Sequence, residues 1–293
     1  MYEKIIFSLF FCMFIIQSYS QIPPQALKRL STTVLDQSIV TVHYQFTQEA
    51  TREKTPVIVT DTTVLEIGNV YSVYYNWTSA LRDSIYQVTA SKSFEQMNNI
   101  TVIKDWSQFE SILLKTPTGI VNNQDEKRES TRIYKNRQTN IISSIDGTVT
   151  ERFLVEEEIP PHEWVISTDT MTLLNYLCYK ATTSFRGRNY TAWFAPDIPL
   201  NEGPWKIYGL PGLILHLEDE NKLFIYEAIG LVGHTGRAIT MDDYSYTKTT
   251  NENLLRWIEN NRRNIAITVS SNRDVYVGQR INTLTFHRRE VGD

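Results

Sequence analysis

Residues 196–212 read PDIPLNEGPWKIYGLPG and hold four Pro and three Gly in seventeen positions. Such a stretch forms neither a helix nor a central strand, because Pro has no N–H to donate and Gly loses the most backbone freedom on ordering. The chain therefore has to fold around a stiff, irregular segment. Where it ends, Leu210-Pro211-Gly212-Leu213 has the pattern of a type II turn, with Pro setting φ at the second position and Gly accepting positive φ at the third. A strand follows at once, with Leu213, Leu215 and Leu217 on one face. The segment has two readings. It is a rigid loop that launches a core strand, or it is a shaped lip for a ligand or partner with Trp205 and Tyr208 as anchors.

The flanking sequence is written in strand patterns. The chain carries 32 Thr, 29 Ile, 16 Tyr and 6 Trp, residues that suit a pleated, half-buried surface. IVTVHYQF (39–46) alternates apolar and polar residues. Residues 57–67 read as a hairpin turning at Asp61, and VYSVYY resumes the pattern after Gly68-Asn69. Residues 79–97 read as a helix capped by Ser79, with Leu81, Ile85 and Val88 on one face. A polar loop spans 116–130, and strand signals return on both sides of Asp146-Gly147, the expected hairpin turn. Two antiparallel pairs follow, 174–183 with 186–194 and 213–217 with 222–228. ENLLRWIENNRR (252–263) reads as a short helix and 265–269 and 283–287 as strands. The fold class is mainly β: a curved antiparallel sheet with one or two packed helices.

Residues 1–20, with Lys4 ahead of a twelve-residue apolar run and small residues before Gln21, have the form of a secretory signal peptide. The run is too short to span a bilayer, which takes about 20 residues. Its removal takes away Cys12, leaving Cys178 as the one thiol and no intramolecular disulfide; Cys178 is then expected as a buried small hydrophobe. A net charge of −4 supplies no broad positive field, which argues against nucleic acid as a partner.

YLCYKATTSFRGRNYTAWFAPDIPLNEGPWKIYGLPGLILHLED closely resembles the GLPGLI family of bacteroidete proteins, whose name is the string at 209–214. VLEIGNVYSVYY (64–75) and EEEIPPHEW (156–164) extend the resemblance, which covers about residues 40–237. It implies a secreted or envelope-associated protein, often encoded beside outer-membrane transport components, with no agreed catalytic residues. By analogy it also implies a half-barrel sheet like that of lipoprotein carriers. The organisation is then a signal peptide over 1–20, a GLPGLI-type β-rich domain over 21–244 and a helix-plus-strands tail over 245–293 packed on the same domain.

The residues offer few catalytic constellations. No GxSxG elbow, phosphate loop, HExxH or CxxC occurs. His216 and Glu218 share a strand face with Asp219 beyond, a weak metal candidate; no cofactor is expected. Arg186, Arg188 and Tyr190 alternate onto one face, either as an anion grip or as an outward face paired with acids such as those at 156–158. The leading expectation is a non-enzymatic binding or accessory module of the envelope. Its wall would be 193–213, including Trp193, Trp205, Tyr208 and Pro211, with Arg186, Arg188 and Tyr190 beside it. The ligand would be a small hydrophobic molecule, a lipid or a peptide. The alternative is a structural partner of an outer-membrane protein, and a metal-dependent or hydrolytic enzyme comes third.

Overall fold

A computed structural model of the chain describes residues 31–52, 54–80, 99–102, 131–147, 152–233, 236–271, 274–281 and 284–286. The expected signal peptide over 1–20, the polar loop expected over 116–130 and most of the helix expected over 79–97 lie outside the described residues. The first strands are β1 (Thr32–Gln37), β2 (Val40–Arg52), β3 (Thr55–Ile67), β4 (Tyr71–Asn76), β5 (Asn99–Val102) and β6 (Arg132–Asn136). Next come β7 (Ile141–Gly147), β8 (Arg152–Glu158), β9 (Val165–Leu173), β10 (Tyr176–Phe185), β11 (Arg188–Ala195) and β12 (Leu213–Asp219). The last part holds β13 (Phe224–Gly233), β14 (Ala238–Asp242), β15 (Thr247–Lys248), α1 (Asn251–Arg263), β16 (Asn264–Ser271), β17 (Asp274–Ile281) and β18 (Leu284–Phe286).

Thirteen strands form one open sheet in the order β15-β8-β7-β6-β4-β3-β2-β13-β12-β11-β10-β9, with β18 on the end of β2. Among the described residues its two ends, β15 and β9, do not pair, so no barrel closes. A sheet this wide has to curl, since each strand pair adds right-handed twist. The inner face is built row by row: Val42 stands opposite Leu65, Leu65 opposite Tyr74, and Tyr74 opposite Ile133. All four are buried, and they join Phe46, Phe224, Tyr226, Leu215 and Leu217 in the main core. β1 and β14 pair as a separate ribbon. It contributes Ile239 to a smaller core with Val73, Tyr134 and Ile145, residues opposite in parity to the inner row and hence on the other face of the sheet. The tail makes its own contact: Trp257 of α1 lies 5.0 Å from Phe153 of β8.

Several elements differ from the sequence expectation, each for a local reason. β3 runs unbroken through Asp61, paired residue for residue with β2, because positions 61, 63, 65 and 67 keep the inward period of two. Asp146 and Gly147 end β7 instead of turning; Asp146 Oδ2 accepts from Thr131 Oγ1 at 2.7 Å, which fixes the carboxylate within the sheet. The turn between β10 and β11 falls at Arg186-Gly187, two residues later than expected. Both have positive φ, 47° and 74°, the backbone of a type I′ hairpin. The helical start at residues 77–80 is capped by Asn76, whose Oδ1 accepts the Ser79 N–H at 2.9 Å; Ser79 lies inside the turn it was expected to cap.

Candidate functional site

The Pro- and Gly-rich segment lies against the inner face of the sheet. Ile207 and Leu210 are wholly buried, Trp205 is 4% exposed, and Tyr208 is buried with them. A loop inside a core has to account for every backbone polar group. Four prolines spread through the segment have no N–H to satisfy, and several of the other N–H groups close on the segment itself: Leu213 N–H donates to the Ile198 oxygen, Ile214 N–H to Glu202, and Gly209 N–H to Asn201. Side chains from elsewhere serve its carbonyls. Lys135 Nζ donates to the Gly203 oxygen at 2.8 Å, Trp164 Nε1 to that of Tyr208 at 3.0 Å, and His162 Nε2 to that of Lys206 at 3.0 Å. Tyr208 returns a hydrogen bond from its hydroxyl to the Ile159 oxygen. The two motif stretches, 156–164 and 196–212, are therefore halves of one packed unit.

The turn that ends the segment is tighter than type II. Gly212 N–H donates to the Leu210 oxygen at 2.8 Å, a three-residue turn on Pro211, because Leu213 N–H is already committed to Ile198. Gly209 has a real conformational need: its φ is 97°, and a Cβ there would stand 2.8 Å from Pro161 Cβ. Trp205 is held at φ 54°, a region that disfavours a bulky side chain by roughly 1–2 kcal/mol, against which the burial of its indole is set.

An ion pair lies within this core. Glu202 Oε2 is 2.6 Å from Lys135 Nζ, and both side chains are almost wholly buried. Ser72 Oγ donates to Glu202 Oε1 at 2.9 Å. Burial pulls the Lys135 ammonium below its ordinary pKa, although Glu202 pulls the other way. Burial, then the Glu202 charge, pushes the Tyr208 phenol up to about 12.

The predicted site residues are distributed around this unit rather than along an exposed lip. Tyr190 is buried with its ring 6.3 Å from Trp205. Arg186 Nη2 is 2.6 Å from Glu157 Oε1, and Glu157 Oε2 is 2.7 Å from Lys206 Nζ, so one carboxylate ties the hairpin turn to the segment. Arg188 and Arg186 are not brought together; Arg188 reaches buried Asp219 at 3.0 Å and lies over the Phe224 ring. Trp193 is half-buried on the opposite face from Tyr190, in register with His216. Pro211 is exposed. His216 Nε2 is 3.4 Å from Glu218 Oε2, whereas Asp219 points into the core; among the described residues no group of three His, Cys, Asp or Glu is placed to hold a metal. Cys178 is buried and its thiol is pushed above its ordinary pKa by that burial.

Sequence reasoning passed over β9. Among the described residues it is the last strand of the sheet, and eight of its nine residues are exposed. Val165 is 71% exposed and Ile166 50%, with Met171 and, in β10, Leu177 also open. A bulge opposite Lys180 divides its pairing with β10 into residues 165–166 and 170–173. The signal was legible: VISTDTMTL carries one charge and no Pro, few of the devices that blunt a sheet edge.

Residues 185–216 match the model of a family described as a protein of unknown function, Porph_ging. No curated protein matches the chain. Two solved structures of PNGF-II, in space groups P21 and C2, are similar at 16% identity over 79% of this chain, with TM-scores of 0.44 and 0.43. The chain spans 35% of the length of those proteins.

Proposed function

We propose that this chain is an exported, non-enzymatic accessory module of the cell envelope that engages a protein partner by strand addition along β9. The exposed, nearly uncharged edge of β9 is the observation that carries the reading. Such an edge presents unpaired N–H and C=O groups to an extended segment, while Val165, Ile166 and Met171 offer exposed apolar side chains beside it. The occupant is an extended, β-branched stretch of another envelope protein, such as an outer-membrane component. The family match on 185–216 falls on the segment that resembles GLPGLI proteins, and the envelope role rests on what that resemblance implies. A lipid or small hydrophobic ligand on the inner face is the second reading, favoured by the open, curved sheet; it requires 196–212 to leave the core.

The test places a photo-crosslinking residue at Ile166 or Met171 of the full chain in its native host, with exposed Pro211 as the control site. One envelope protein captured from β9 and not from Pro211, and lost in the V165K/M171K double variant at unchanged melting temperature, is the expected result. Equal capture at the two sites, or capture that survives the lysines, overturns the reading.

A further inference from the structure

A cavity of about 270 Å³ opens on the outer face of the sheet, where the β1–β14 ribbon packs over β4 and β6. It stands apart from β9, at which the sheet ends, and is independent of the reading given to that edge. Val73 and Tyr134 form its floor, Tyr75 and Trp77 its aromatic walls, and Glu66 of β3 with Arg237 its polar side.

Glu66 is the group that points to a ligand. Its side chain is only 4% exposed. Oε1 accepts from the Tyr75 hydroxyl at 2.9 Å and from Arg237 Nη1 at 3.0 Å. Burial, then the Glu66 charge, pushes the Tyr75 phenol up, so the phenol keeps its proton and stays a donor. Among the described residues both hydrogen bonds to Glu66 fall on Oε1, which leaves Oε2 as a buried acceptor on the cavity wall. A buried acceptor of this kind calls for a partner. Arg237 lies beside it, 55% exposed at the mouth. A guanidinium carries five N–H groups, more than its contacts with Glu66 and Tyr75 use. The wall thus presents an acceptor and donors side by side. The Arg132 guanidinium lies over the Tyr75 ring at 5.9 Å, so Trp77, 39% exposed, is the open aromatic face.

We infer that this cavity binds a pyranose sugar ring through two neighbouring hydroxyls. A hydroxyl both donates and accepts, so one meets Glu66 Oε2 as a donor and its neighbour meets Arg237 as an acceptor. An ionised carboxylate or phosphate brings no donor to Oε2 and is repelled by it. An ammonium would donate to Oε2, but the charge of that carboxylate is already offset by Arg237. The flat C–H face of the ring supplies apolar surface against the Trp77 indole. The volume is at the low end for ligand sites and admits one ring. The same chemistry is found in a free sugar and in the end residue of a polysaccharide.

The test is calorimetric titration of the purified full chain with the methyl glycosides of glucose, galactose and mannose, and with cellobiose, lactose and mannobiose. At least one sugar is expected to bind saturably. W77A and R237Q are each expected to weaken it about tenfold, without changing the circular dichroism spectrum. In the deoxy series of the sugar that binds, loss of either of two neighbouring hydroxyls is expected to weaken binding by about the same factor. Preference for the disaccharide over its methyl glycoside assigns the site to a polysaccharide end, and the reverse assigns it to a free sugar. The inference is overturned if none of the six sugars binds, if every deoxy analogue binds as the intact sugar does, or if folded W77A and R237Q both bind as the parent does. Should R237Q fail to fold, W77A and the deoxy series on the parent still decide.

Discussion

Glu202 and Lys135 meet at 2.6 Å inside the core, and this contact joins the irregular segment to strand β6. Neither residue is near the other in sequence, and neither has appreciable solvent contact. Removing one partner of a buried pair leaves a desolvated charge, which costs about 3–5 kcal/mol, whereas replacing both with apolar residues is often neutral. Glu202→Leu is expected to lose about that much in urea unfolding, and Lys135→Met with Glu202→Leu to recover most of it. Equal loss in the single and double variants would show that shape, not charge, sets the contact.

Trp205→Ala tests whether the segment belongs to the core. The indole is 4% exposed and packs against Phe185 and Tyr190. Truncation is expected to cost about 3–5 kcal/mol of stability, read as a lower denaturant midpoint. Near-parental stability would return Trp205 to the role of a ligand anchor.

Gly209→Ala adds a Cβ at 2.8 Å from Pro161 at a φ of 97°. The expected loss is about 1–3 kcal/mol, from an unfavourable backbone and a crowded contact. Ala at Gly230, where a Cβ meets nothing within 4 Å, is the matched control and should leave the melting temperature near its parent value.

His162 predicts an acid sensitivity. Burial lowers its pKa below the ordinary 6.5, and the Lys135 charge adds to this, while the hydrogen bond to the Lys206 oxygen opposes it. The unfolded chain therefore takes up the proton first. The stability that neutral His162 contributes is complete above about pH 6.5 and is lost as the pH falls from there toward the lowered folded value. Unfolding free energies measured between pH 7 and 5 should fall with acid in the parent and fall less steeply in His162→Gln. Parallel slopes would remove His162 from the account.

Much of the sheet was legible because a strand's period of two is a local property. All but the first residue of VYSVYY and of IVTVHYQF sit in β4 and β2, the 213–217 run sits in β12, and 224–228 of the 222–228 run sit in β13. Turns were less legible. Asp61 and Asp146-Gly147 carry turn chemistry, yet cross-strand partners hold both sites in strands. The stiffness of 196–212 was evident from its prolines and glycines, but not the direction in which Trp205 and Tyr208 point. Nothing local in the sequence names Lys135 as the partner of Glu202 or Glu157 as the partner of Lys206.

By itself the sequence determined that the chain is a mainly β protein with a rigid irregular interruption before β12, because pleating and the limits on Pro and Gly act within a few residues. Only the tertiary structure decided that the interruption fills the inner face of the sheet, that β9 is left as an edge, and that Arg132, Arg237, Tyr75 and Trp77 share one cavity. Those outcomes depend on strand order and on which distant charges are desolvated together, and these are set by long-range pairing that no local pattern encodes.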